Sequence, residues 1–194
     1  MEYKIFRGKE IDDVKSQLAA LRIEVFLDFP YLYVGSLGYE KEYLQTYINS
    51  ERSFLFAAFD KEKMVGATTC IPLEDETEEV KEPFLKSGMY IADFFYFGES
   101  ILLKDYRGLG IGNRFFEERE KHAAHFGYFK TTCFCAVERA VDHSLRPENY
   151  TPLDEFWGKR GYTKNPSLQS KFSWKDIGET DESKKTMIYW SKSL

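Results

Sequence analysis

The chain has 194 residues, 43% of them hydrophobic and 17% aromatic, and a formal charge of −5. That length fits one domain with a full core, and an aromatic set of 17 Phe, 13 Tyr and 3 Trp excludes intrinsic disorder. The acidic balance, with a pI of about 5.4, argues against nucleic-acid binding by bulk electrostatics and better suits a cationic partner.

The predicted elements follow from hydrophobic periodicity. Tyr3 to Phe6 reads as a short strand, and Ile11 to Phe26 as a helix with Val14, Leu18, Leu21 and Val25 on one stripe. An aromatic loop from Phe29 to Gly38 leads to a second helix over Tyr39 to Ile48. Phe54 to Phe59 and Met64 to Ile71 flank Asp60-Lys61-Glu62-Lys63 and predict an antiparallel hairpin. Glu74 to Glu82, with six acids and one lysine, reads as a solvated loop with room for a helical turn. Tyr90 to Leu103 is a long apolar stretch interrupted by Gly98, Glu99 and Ser100. Ile111 to Phe126 predicts an amphipathic helix closed by Gly127. A strand over Thr131 to Val137, a short helix over Leu153 to Arg160, and strands near Lys171 to Trp174 and Met187 to Trp190 complete the chain. The order describes a mixed α/β domain spanning residues 1–194.

Three cysteines, Cys70, Cys133 and Cys135, suggest neither a disulfide framework nor a zinc site. Cys133 and Cys135 share one face of a strand and read as buried thiols. No His, Cys, Asp and Glu spacing suggests a metal. MEYKIFRGKEIDD has no basic apolar leader, and no apolar run approaches the ~18 residues of a membrane span. The expectation is a soluble cytoplasmic protein without membrane association.

The chemistry sits in Leu102-Leu103-Lys104-Asp105-Tyr106-Arg107-Gly108-Leu109-Gly110-Ile111-Gly112-Asn113-Arg114. A strand runs into alternating glycines that open a helix. Amides of a first helical turn lack intrahelical partners and face the positive end of the helix dipole, so the segment suits a phosphate or pyrophosphate. A P-loop would need Lys-Ser/Thr after the last glycine, where Asn113-Arg114 stands. A dinucleotide fingerprint needs G-x-G-x-x-G rather than G-x-G-x-G. A plain turn would not need three glycines in five positions.

Arg107-x-x-Gly110-x-Gly112 resembles the pyrophosphate signature of the GNAT superfamily of acyl-CoA-dependent N-acyltransferases. Phe156-Trp157-Gly158-Lys159-Arg160-Gly161-Tyr162 is similar to that family's second motif, in the right order downstream. The resemblance implies one GNAT-like domain with a central mixed, mostly antiparallel sheet flanked by helices. It also implies a splayed strand pair that binds acyl-CoA. By the same resemblance, Arg107 and the backbone of Gly108, Leu109, Gly110, Ile111, Gly112 and Asn113 would hold the pyrophosphate of acetyl-CoA, the cosubstrate. Main-chain groups of Ile101, Leu102 and Leu103 would pair with the pantetheine arm, one amide polarising the thioester carbonyl. The acceptor amine would then attack directly.

Direct attack needs a base. Glu99 is the candidate, in a Gly-Glu-Ser interruption where a bulge would re-aim its side chain inward; the alternative is a surface carboxylate bonded to nearby backbone. The family's usual tyrosine acid falls on Trp157, which cannot serve. The thiolate then leaves unaided, or Tyr150, Tyr162 or a water substitutes. His143 either contacts the acceptor or fixes its own loop. His122 and His125 read as structural residues complementing the helix dipole. The resemblance places the acceptor, a small-molecule or peptide amine, against the aromatic loop from Phe26 to Tyr33 and the strand Phe94-Phe95-Tyr96-Phe97. Glu24 and Asp28 would add charge there, and the rings cation–π contacts. Exposed sheet edges leave room for a homodimer. A non-catalytic acetyl-CoA sensor or scaffold is the rival reading.

Overall fold

The computed structural model describes all residues from Met1 to Leu194. Seven strands form one sheet in the order β1-β2-β3-β4-β5-β7-β6. They are β1 (Glu2–Arg7), β2 (Phe54–Asp60), β3 (Lys63–Pro72), β4 (Phe94–Leu102), β5 (Thr131–Val137), β6 (Thr163–Trp174) and β7 (Ser183–Ser193). Every neighbouring pair is antiparallel except β4 and β5. The strands β2 and β3 are buried almost throughout, because helices cover both faces of the sheet there. One face carries α1 (Lys15–Phe26), α2 (Leu37–Tyr43), α3 (Gln45–Asn49) and α4 (Glu78–Lys86) over a 25-residue apolar cluster. The other carries α5 (Ile111–His125) over a second cluster of 15 residues. A short α6 (Asp154–Gly158) precedes β6, and no helix is long and apolar enough to cross a membrane.

Three expectations change. The first predicted helix begins as a 3-10 segment, Gly8–Val14, before α1 takes over. The second divides at Leu44 into α2 and α3. The acidic run is not a solvated loop. Val80, Pro83 and Phe84 sit on one buried face of α4 at helical spacing. Pro83 has no N–H for the carbonyl of Glu79, which accepts from the Ser170 hydroxyl at 2.9 Å instead. Glu76 is buried and accepts from the Tyr47 hydroxyl at 2.8 Å and from the Thr77 amide at 3.0 Å.

The relationship that matters for function is between β4 and β5. They pair only at Phe94↔Thr131, Phe95↔Thr132 and Tyr96↔Cys133. Beyond that point β4 stays with β3 as far as Leu102, while β5 stays with β7 as far as Val137. The two central strands therefore splay apart. Opposite the opening, the β3–β4 register shifts: Thr68 faces Ser100 but Cys70 faces Phe97, so Thr69 alone opposes Gly98 and Glu99. That is the predicted bulge.

Candidate active site

At the open end, β4 runs through a 3-10 turn, Lys104–Tyr106, into the glycines that begin α5. Gly108 and Gly110 hold φ of +77° and +81°, left-handed backbone that a side chain would strain. The amides of Gly108, Leu109, Gly110, Ile111 and Gly112 bond to no acceptor in the protein, whereas Asn113 N–H turns in to Gly110 O at 3.1 Å. Five successive free donors at the start of a 15-residue helix make an anion cradle. Gly112 has a different reason: a Cβ there would lie 3.4 Å from the Phe156 ring, so the second motif packs onto the start of α5.

Leu103 N–H bonds to Val65 O on β3 at 2.9 Å. Strand alternation then turns Ile101 toward β3 as well, and the backbone groups of Leu102 and Ser100 toward the opening. The carbonyl of Leu102 accepts from Nε of Arg107 at 3.1 Å. Of the predicted pantetheine-facing residues, Leu102 is therefore the one whose main chain faces the splay.

The bulge buries Glu99, which is only 3% exposed. One of its carboxylate oxygens accepts from Nη1 of Arg22, whose Nε donates to Glu40. The guanidinium stacks over the ring of Tyr43, 4.2 Å from its centroid. The second oxygen of Glu99, Oε1, and Oε1 of Glu40 are buried without partners. Burial pushes the Glu99 carboxyl upward in pKa; Arg22 draws it back, and Glu40 raises it further. Glu99 is thus a buried carboxylate with one oxygen pinned and one free.

Neither Arg22 nor Glu40 figures in the sequence reading. The signal was present: Arg22 stands four residues after Leu18, inside the apolar phase of α1, and a charge in a buried stripe requires a partner.

The other candidate side chains have surroundings that are in part as expected and in part not. Tyr162 is buried, shares a hydrogen bond with Thr132 at 3.0 Å and donates to Glu120 at 3.0 Å. It is a core residue, unsuited to proton transfer at the splay. Trp157 packs against Phe134 and Trp190, each 5.1 Å away, so the ring that replaces tyrosine closes the core beside α5. Tyr150 is half-buried against Phe29, 4.7 Å between centroids. Burial raises its hydroxyl and Arg146 opposes the rise. His122 is structural, as expected: its ring stacks on Phe54, Nε2 meets Arg52 O at 2.9 Å, and burial lowers its pKa. His143 fixes its own loop through Leu145 N–H at 3.2 Å. The cysteines are all buried, and burial pushes the Cys135 thiol up to about 12, away from nucleophilic use.

The aromatic wall is redistributed too. Phe95 and Phe97 lie in the core beneath α5, and Tyr96 in the opposite cluster. Glu24 is exposed, and Asp28 pairs with Lys104 at 2.8 Å and Arg107 at 3.9 Å. The α1–α2 loop is tied down by Arg139, just beyond β5. Arg139 donates to Pro30 O (2.7 Å), Tyr31 O (2.6 Å) and both oxygens of Asp176.

A seven-stranded sheet that opens beside a glycine-built helix start is a fold shared with solved acetyltransferases. The ribosomal-protein-alanine N-acetyltransferase of Brucella melitensis superposes with a TM-score of 0.61 at 13% identity, over 98% of this chain and 99% of that one. An aminoglycoside 6'-N-acetyltransferase complexed with coenzyme A gives 0.59 at 19% identity, over 100% and 97%. Arabidopsis thaliana NAA60 in complex with a bisubstrate analogue gives 0.58 at 11% identity, over 100% and 99%. At such identities the likeness is one of fold. No curated protein matches in sequence. The family profile is decisive: residues 20–146 match the acetyltransferase (GNAT) family, and the chain belongs to it. It is an acetyltransferase by class.

Proposed function

We propose that this protein transfers the acetyl group of acetyl-CoA to a primary amine by direct attack, without an acyl-enzyme. The carrying observation is the run of five unpartnered amides from Gly108 to Gly112 beside the splay. These amides, with Arg107, bind the pyrophosphate; Asn113 adds its side chain, since its amide is committed to Gly110. Leu102 offers its backbone to the pantetheine arm and its N–H to the thioester oxygen, where negative charge develops in the transition state. Ile101 and Leu103 hold that segment to β3.

Glu99, whose free Oε1 is buried, takes the amine's proton through an intervening water. The nitrogen lone pair forms the C–N bond, the C–S bond breaks, and its electron pair leaves with the coenzyme thiolate. The coenzyme A complex of one neighbour supports the cosubstrate, and the neighbours named for aminoglycoside and ribosomal-protein substrates support an amine acceptor. Calorimetric titration with acetyl-CoA, ATP and NAD tests the binding half of this reading. Saturable binding of acetyl-CoA alone is expected; equal or absent binding of the three would overturn it.

A further inference from the structure

The mechanism uses Glu99 but leaves Arg22 and Glu40 unexplained. Arg22 is 8% exposed and Glu40 fully buried. Two carboxylates compete for one guanidinium, and each keeps an oxygen without a partner. A pair needed only for packing would be served by one acid and one base, or by none. Here the second acid sits where it can act on the first through the shared cation.

We infer that Arg22 and Glu40 are positioning residues for Glu99: Arg22 pins Oε2 and leaves Oε1 as the one oxygen open to a proton, while Glu40 holds the other edge of the guanidinium so that Arg22 does not serve Glu99 alone. The inference rests on Glu99 being the base. In the step it serves, an N–H bond of the acceptor breaks, its electron pair stays on nitrogen, and the proton ends on Oε1 of Glu99.

The charged groups around Glu99 fit this division, and Tyr33 and Tyr39 face Glu40 from its far side. From α1 comes Arg22, which favours the ionised carboxylate; from α2 come Glu40, which opposes it, and the Tyr43 ring stacked on the guanidinium. From α5, Arg119 adds a weaker favourable charge. Tyr47 on α3 and Glu76 before α4 hydrogen-bond to each other. From β3, Thr69 Oγ1 accepts the Glu99 amide at 3.2 Å and Thr68 donates to the Glu99 carbonyl at 2.9 Å, fixing the backbone.

The test is kcat against pH at saturating acetyl-CoA and amine, for wild type, Glu40→Gln, Arg22→Gln and Glu99→Gln. The acid limb of the wild-type profile reports deprotonation of the base in the ternary complex. Glu40→Gln keeps shape and an acceptor for Arg22 but removes a negative charge, so the limb should move to lower pH by about one unit. Arg22→Gln removes the favourable charge and should move it to higher pH. A structural role predicts no such opposed pair of shifts. If Arg22→Gln fails to fold, Glu40→Gln decides alone: an unmoved limb, or one moved upward, overturns the inference. Glu99→Gln separates the two levels. A limb that survives in it removes Glu99 as base, whereas a limb lost in it but unmoved by Glu40→Gln leaves the base standing and removes the positioning pair.

Discussion

The hydroxyl of Tyr47 occupies the space that a side chain on residue 98 would need: a Cβ on Gly98 would lie 2.0 Å from it and 2.6 Å from Thr69 Oγ1. Tyr47 cannot swing away, because it is fully buried and bonded to Glu76. The glycine therefore lets the bulge form against α3 and turns Glu99 inward. Gly98→Ala should cost about 1–3 kcal/mol of stability through overpacking, and turnover should fall with it. Thermal unfolding and kcat measured together check this; a variant that melts and turns over like wild type would contradict it.

Glu99→Gln should lower kcat by about 10²–10⁴ while acetyl-CoA binding stays within a few-fold of wild type. The amide keeps one oxygen for Arg22 but cannot take a proton. Steady-state kinetics beside calorimetry separate these effects, and parallel loss of both would make the residue structural.

Asp28 holds Lys104 and Arg107, two cations flanking the glycine loop, in exposed ion pairs. Such pairs are worth about 0–1 kcal/mol each and weaken with salt. Asp28→Asn should therefore tighten acetyl-CoA binding by about two- to five-fold at low ionic strength, with the gain fading as salt is added. Weaker binding in the variant would show that Asp28 assists the coenzyme.

Two tyrosines were candidates for the proton donor, and the structure separates them. Tyr162→Phe should lose about 1–2 kcal/mol of stability, from its bonds to Thr132 and Glu120, with the pH profile of kcat unchanged. Tyr150→Phe should fold normally and, if the thiolate is protonated there, lose the alkaline limb of that profile. A changed pH profile in Tyr162→Phe would reverse the assignment.

His122 links pH to stability. Its folded-state pKa is lowered by burial, so below the unfolded value of about 6.5 the unfolded chain binds a proton that the folded chain resists. Its contribution is intact above that value and is lost as pH falls from there through the lower folded-state value. Unfolding free energy should drop in that window for wild type and drop less for His122→Phe.

The sequence was most legible where backbone chemistry is local. The glycines at 108, 110 and 112, the hairpin across Asp60–Lys63 and the bulge at Gly98-Glu99 each announce a conformation through residue types within a few positions. It was least legible where a side chain finds a partner far along the chain. Glu76 looks solvent-bound within an acidic run until Tyr47, 29 residues earlier, donates to it. Arg22 meets Glu99 across 77 residues, and Arg139 holds the α1–α2 loop across 108 and 109. The aromatic excess showed the same limit. Alternation put Phe95 and Phe97 in the core, and which rings faced a ligand depended on packing that no local pattern encodes.

Transfer of acetyl from acetyl-CoA to an amine releases free coenzyme thiol, which can be followed continuously. With purified protein and acetyl-CoA, thiol release should rise from its hydrolytic baseline when a primary amine from a panel of alkyl amines, amino sugars, polyamines and peptides is added. A matching N-acetylated product should appear by mass spectrometry. Saturable acetyl-CoA binding with no amine-dependent thiol release from any member of the panel would contradict it.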